Sequence, residues 1–500
     1  MINFGPWEPD KAVFQSIGEI KATGFIRCQD VNNVVPSVTG PRPFPSFFNV
    51  TSAITARAQG AFTTRGLQGT IFNFCGDVTN LYLEASDGLS WTDISRAAGG
   101  DYAVASDGWW DFGSFGDYVI ATDGVDVPQY YQMDVSAAFA LLAGSPPTAS
   151  FFGVIREFGV LARHSTARHR LTWSAISDIA DWAASATTLS DSQDFQDGGQ
   201  IMGFVGGEFG IVLLERGIWR MAFEGPPTAF RFDKIANFLG CDLERSIAAY
   251  ENLIFWKAPD GFYMIRGGSE IIPIGDGKVD LEFADTLDAN YRHRVSSAID
   301  PVRKLYLIGF PSGSASSGTP DSIWAYHWPT GQWSKIAHEH EIIYIAATQT
   351  TYTIDGMDAA SGTIDGLPYP VDSSFWAGQG HLLPAAFNTD HEQGFYTGTS
   401  LAATIETSDT QLVPGKKSLL QSLRPMVEGS SVTPSVAIKY RDRLQDAHST
   451  GSTVAANSNG VCNVRRKARY HRAVMTIPAG DTWVHATGLD DIKFKAMGSR

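Results

Sequence analysis

Between Ile201 and Gly275 the chain alternates short, densely apolar runs with turns of Gly, Asp and Pro. Gly210 is followed by Ile211-Val-Leu-Leu, a Glu-Arg-Gly turn and Ile218-Trp-Arg-Met-Ala-Phe223. Asn252 is followed by Leu253-Ile-Phe-Trp256, the turn Ala258-Pro-Asp-Gly261 and Phe262-Tyr-Met-Ile-Arg266. Branched and aromatic residues punctuated by such breakers predict β-hairpins rather than helices. A lone hairpin cannot bury both faces, so each must pack on another.

The same element recurs after Gly69, Gly116, Gly159, Lys304 and Glu341, so that successive landmarks are 47, 43, 51, 42, 52 and 37 residues apart. A period in the forties, with two evident strands and room for two more, fits four-stranded β-propeller blades. The alternative is a large β protein whose hairpins fall at similar distances. The propeller reading covers residues 51–380 and puts the apolar run after each landmark in an inner strand. It also puts Trp219, Trp256 and Trp324 between adjacent blades, as core aromatics.

The ends of the chain follow other patterns. Residues 1–50 carry little periodicity and close on Pro36-Ser-Val-Thr-Gly-Pro-Arg-Pro-Phe-Pro45, which predicts an extended arm crossing a surface. From 381 to 500 the forty-residue period stops and alternating strands appear, as in Ser435-Val-Ala-Ile-Lys-Tyr440, where Val436, Ile438 and Tyr440 share one face. This predicts a separate antiparallel β domain of sandwich type. The fold class is thus all-β, a six- or seven-bladed propeller followed by that domain.

Composition narrows the functions. The chain has 500 residues, a net charge of −15 and 43% hydrophobic content, enough for a packed interior. Residues 381–500 hold 14 Lys/Arg against 10 Asp/Glu, a balance of +4 that leaves −19 for residues 1–380. An acidic body argues against binding a phosphate backbone. Cys28, Cys75, Cys241 and Cys462 form no CxxC pair, and a reducing compartment is the simple expectation. No signal peptide is evident, and no apolar stretch approaches the length of about eighteen residues that a membrane helix needs.

Candidate chemistry is sparse. There is no nucleophile elbow, Walker loop, dinucleotide fingerprint or His-Glu-x-x-His motif. His338-Glu-His340 could begin a metal site but lacks a third ligand at a recognisable distance, and His164 and His169 share that weakness; exposed loop histidines are the expectation. Asp276, Asp280, Glu282, Asp285 and Asp288 are read as solvated carboxylates, since sequence leaves their separations open. Ser86-Asp-Gly-Leu-Ser-Trp-Thr-Asp-Ile94 is similar to the Asp box of sialidase-type propellers, with spacing residues missing, and reads as a structural turn. Arg465, Arg466, Lys467 and Arg469 form the strongest charge run and are expected to meet an acidic partner or neighbouring subunit. No catalytic residue, metal or cofactor is assigned.

Several short runs carry a resemblance across most of the chain. They are Arg170-Leu-Thr-Trp-Ser-Ala-Ile with Trp182, Phe223-Glu-Gly-Pro-Pro227, Gly240-Cys241 with Asp260-Gly-Phe-Tyr263, and Asp300-Pro301 with Gly331-Gln-Trp-Ser334. Lys439-Tyr-Arg-Asp-Arg-Leu444 and Arg469-Tyr-His-Arg472, with Trp483 and Gly488, complete the set. In these the sequence resembles the tail nozzle, or tail tubular protein B, of short-tailed bacteriophages. The resemblance implies a non-enzymatic virion protein of the tail, assembled in the host cytoplasm as a homo-hexamer below the head-to-tail adaptor. Its implied partners are that adaptor, a tail fibre or tailspike, and genomic DNA passing through an acidic lumen without sequence-specific binding; no integral membrane contact is implied. Members of that family have six blades, whereas the hairpins here number seven. A propeller that binds or cleaves glycans is the alternative function. Convergent carboxylates with an Arg cluster at the propeller centre would favour it.

Overall fold

The structure, a computed structural model, describes residues 1–348, 363 and 381–498. Its architecture is a β-propeller. Six four-stranded antiparallel sheets stand alone, and a further four-stranded set, Ser296–Asp300 to Gln332–Ala337, takes its turn in the same ring while continuing into a larger sheet. The blades begin with innermost strands Gly60–Arg65, Asp111–Phe115, Ala149–Ile155, Ile201–Val205, Ala248–Tyr250, Ser296–Asp300 and Ile342–Ala347. The ring closes where the seventh of these packs beside the first.

The landmark runs form the second strand of the first six blades, not the innermost. A second strand is buried on both faces by the neighbouring blades, so Phe158–His164 and Leu305–Phe310 are buried at every residue and read as largely apolar runs, the first closing on Arg163 and His164. Innermost strands turn one face to the axial channel, carry polar and glycine residues, and escape the pattern. In the seventh blade the landmark run Ile342–Ala347 is itself innermost, which accounts for the short last interval. The partner strand expected at Tyr352 lies outside the described residues.

That blade corrects the expected boundaries. Leu382–Phe387 pairs onto Ile342–Ala347, Gln393–Ser400 pairs onto Leu382–Phe387, and the outer strand is Pro45–Asn49 from the N-terminal segment. The propeller therefore runs past residue 380 and borrows a strand from before residue 51. Close backbone approach makes this possible at Gly394, where a Cβ would lie 2.2 Å from the Phe48 carbonyl oxygen.

Nor is the N-terminal segment a simple arm. Ile2–Trp7 pairs in parallel with Phe25–Asn32, and the helix Ile17–Thr23 between them starts on a capping box formed by Ser16 and Glu19. Both strands are built into a 16-stranded sheet with the C-terminal strands Ala403–Thr407, Ser418–Ser431, Ser435–Arg441, Tyr470–Ile477 and Thr482–Ala496. These strands are hydrogen-bonded into one sheet, whose N-terminal member reaches the sixth blade at Asn32 and Lys335. One hydrophobic core follows that continuity. Trp7 meets Trp324 edge-on with centroids 5.0 Å apart, and Phe283 packs on Trp324 at 5.2 Å. The same cluster reaches Ile405, Val436 and Met475.

Trp256 joins Met202, Ile211, Leu213 and Ile218 in a core shared by the fourth and fifth blades. Trp219 is only partly buried, against Phe195 of the preceding blade. Trp324 is buried, but its edge-on partners come from the N-terminal strand and the helix Asp280–Thr286 as well as from its own blade. All four cysteines are free and buried.

Candidate functional site: the axial channel

Chemistry-bearing residues converge where the chain enters the innermost strands. Arg57 precedes the first blade, Asp107 to Trp109 the second, Asp242 to Arg245 the fifth and Arg292 to Arg294 the sixth; all line connected cavities at this end of the channel. The outer cavity, of about 390 Å³, adds Asp123, Arg163 and Arg168. Below it a second cavity of about 560 Å³ is walled by Phe62, Phe112, Phe151, Phe152 and Phe204.

The wall is built by glycines that seat the next blade's side chain. A Cβ at Gly113 would lie 2.7 Å from the Phe152 ring, one at Gly153 2.7 Å from Phe204, and one at Gly203 2.1 Å from Ile247. This staircase repeats across three blade junctions and keeps neighbouring innermost strands close.

Most of the carboxylates at the mouth are already engaged. Glu244 pairs with Arg163, whose guanidinium also lies 4.7 Å from the Phe151 ring centroid and 5.1 Å from that of Trp109. Asp242 pairs with Arg292 at 2.5 Å. Asp111 accepts from the Phe152 backbone amide at 2.8 Å, and burial pushes its carboxyl up to about 6. Glu341 accepts from the Ala58 amide at 2.8 Å and pairs with His391 at 2.6 Å; burial raises it despite both contacts.

Three cations are left with carbonyl acceptors alone. Arg57 donates to Ser106 O at 2.9 Å, Arg294 to Ser317 O at 3.1 Å, and Arg245 makes one long contact of 3.5 Å to Trp110 O. None of the three forms an ion pair among the described residues. Burial holds the Arg57 and Arg245 guanidinium groups below their usual range; Arg294 depresses Arg57 further while Glu341 opposes the shift, and at Arg245 the carboxylates of Asp111 and Glu244 oppose it while Arg57 adds to it. Sequence reasoning did not find this cluster, because its members lie in separate interblade links and share no spacing.

The sequence candidates fall elsewhere. Arg466–Ala468 is the last strand on the path of the large sheet; Arg465 and Lys467 are exposed and Arg466 is half-buried, and none of the four basic residues lines the channel cavities. His338 and His340 are not exposed loop residues. His340 is fully buried, and its ring stacks 6.0 Å from that of His338, whose Nδ1 lies 3.0 Å from the Tyr396 hydroxyl. His164 is buried against Thr172. Among the described residues no group of three or more His, Cys, Asp or Glu is arranged to hold a metal ion. Asp280 is not simply solvated: it accepts from the Phe262 amide at 3.0 Å, and burial pushes it up to about 6. In the Asp-box-like turn, Asp87 accepts from the Leu89 amide and Trp91 donates to Thr51, a structural role.

Comparisons with known proteins give no family. No family model matches the chain, and no curated protein does. Among solved structures, a domain described as the extracellular part of a hybrid two component system of B. thetaiotaomicron is 14% identical over 81% of this chain, with a TM-score of 0.43. This chain spans 47% of that domain's length. The N-terminal domain of Nup159 is 11% identical over 73% of this chain and 97% of its own, with a TM-score of 0.38. The Neurospora crassa Pan2 WD40 domain is 7% identical over 68% and 88%, with a TM-score of 0.37. The fold assignment rests on the sheet order described above.

Proposed function

We propose that this chain is a structural protein of a short-tailed phage virion, a subunit of a hexameric tail nozzle ring below the head-to-tail adaptor, through which DNA is retained and then ejected. The observation that carries the reading is the basic strand Arg466–Ala468 at the end of the large sheet. Arg465, Arg466 and Lys467 make no ion pair among the described residues, and they lie in residues 381–500, of charge +4, whereas residues 1–380 carry −19. A closed ring needs two different patches that meet head to tail, and opposite charge selects that pairing. The stitched architecture suits such a wall, since the N-terminal strands tie the propeller and C-terminal sheet into one body.

Light scattering and negative-stain imaging of the purified chain test this. Sixfold rings with a lumen wide enough for duplex DNA are expected, and the triple substitution Arg465→Glu, Arg466→Glu, Lys467→Glu should disperse them while leaving the circular dichroism spectrum unchanged. A chain that stays monomeric at assembly concentrations counts against the reading.

The glycan-binding alternative has its own support in the arginines and carboxylates of the axial channel. Release of reducing sugar from host-surface polysaccharide would favour a cleaving enzyme over a structural subunit.

A further inference from the structure

We propose that the mouth of the propeller channel between Arg57, Arg245 and Arg294 is a binding site for a small oxyanion, the carboxylate of an acidic sugar or a phosphate group. The site belongs to a single propeller and does not depend on ring assembly.

A guanidinium presents five N–H donors in a planar fork, and leaving them unmet in a buried setting is costly. Arg245 meets one carbonyl at 3.5 Å. It lines all three cavities of the channel, so its unused donors face space that a ligand can occupy. Arg57, Arg245 and Arg294 line one small cavity together with His293.

The nearby acids answer this charge only in part: Asp111 and Glu244 favour the charged form of Arg245 and Glu341 that of Arg57, but none of them forms an ion pair with either arginine among the described residues. Glu244 is taken by Arg163, Asp242 by Arg292, and Glu341 by His391 and the Ala58 amide. Three like charges gathered in a partly dry site repel one another, and an anion entering between them relieves that repulsion while filling the donors. The outer cavity of about 390 Å³ leaves room for the sugar ring or other body attached to the anionic group, with Asp107, Asp123 and Ser150 available to its hydroxyls.

The fold holds these side chains from separate supports. Arg245 sits on the single 3-10 turn Glu244–Ser246, fixed by Ser246 Oγ donating to Leu243 O at 2.6 Å. Arg294 ends the 3-10 segment Ala289–Arg294 and lies 5.3 Å from the Tyr291 ring centroid. Preorganised donors of this kind lose little freedom when an anion arrives.

Calorimetric titration of the full chain with sodium phosphate and with glucuronate, at constant ionic strength, tests the proposal. Saturable binding is expected for at least one probe; binding of glucuronate alone identifies the acidic saccharide, and binding of phosphate alone the phosphate group. Arg245→Gln should weaken it about tenfold or more, and Arg57→Gln should weaken it as well. The Arg245→Gln protein should keep the parent's circular dichroism spectrum, so that weakened binding is read as loss of a donor and not of the fold. Arg231→Gln, at an exposed position on the outer strand of the fourth blade, should bind as the parent does. Absence of saturable binding to both probes, or unchanged affinity in both channel variants, overturns the proposal.

Discussion

His340 has no exposed surface, its Nδ1 lies 2.9 Å from the His338 carbonyl oxygen, and its Nε2 finds no partner among the described residues. Gly309 makes the seat, since a Cβ there would stand 2.2 Å from that nitrogen. Burial lowers His340 from 6.5 to about 4; burial, with His340 close by, lowers His338 to about 3. The folded protein therefore keeps both rings neutral where the unfolded chain takes up protons. Stability should fall as the pH drops from about 6.5 towards 4, the window between unfolded and folded values. Urea midpoints at pH 7 and pH 5 measure this, and His340→Asn should flatten the dependence. Because Asp111 and Asp280, raised to about 6, act in the opposite sense, the comparison with the variant decides: midpoints of parent and His340→Asn that change equally between these pH values would contradict the assignment. The pair was visible in the sequence as a possible metal site; its burial was not, because the link into the seventh blade folds beneath strands contributed from residue 393 onward.

At the scale of the element, the glycine staircase explains how short innermost strands with few apolar residues still hold a ring together. The Phe204 ring occupies the space where Gly153 would carry a side chain, with two ring carbons 2.7 Å from the Cβ position. Gly153→Val should cost about 1–3 kcal/mol through overpacking at this junction, read from urea unfolding, whereas Gly116→Ala, in a turn with nothing within 4 Å of the added carbon, should cost less than the clash despite its positive φ of 59°. Equal losses at the two sites would show that the junction relaxes freely. The second strands were legible because burial on both faces writes a largely apolar run. Innermost strands were missed because one face turns to the channel, and the alternation is broken by the glycines that the neighbour's side chains demand.

For the whole molecule, strand exchange between distant parts of the chain decides cooperativity. Pro45–Asn49 completes the seventh blade, while Ile2–Trp7 and Phe25–Asn32 complete the C-terminal sheet and share its core with the sixth blade. Removing residues 1–49 exposes an edge on one sheet and takes interior strands from another. The truncated chain should aggregate or lose its β signal by circular dichroism, and the full chain should unfold in one transition by calorimetry and by tryptophan fluorescence alike. Separate transitions for propeller and C-terminal sheet would refute this coupling. Expected domain limits at 50 and 380 failed for the same reason: local pattern marks a strand but not the sheet that receives it.

What the sequence by itself determined was the kind of element and its repetition. Hydrophobic runs such as Ile211 to Leu214 and Leu253 to Trp256, with breakers between them, required hairpins, and their recurrence required blades that bury one another. Partnership was decided only in three dimensions. Arg57, Arg245 and Arg294 are far apart in the chain and carry no motif, yet each stands just before an innermost strand, and closing the ring brings those positions around one axis. Pro45–Asn49 likewise could not be assigned from its own residues, since it pairs with a strand more than three hundred positions away. Side-chain periodicity is a local consequence of backbone geometry, whereas the channel and its charges arise from closure, which no local stretch encodes.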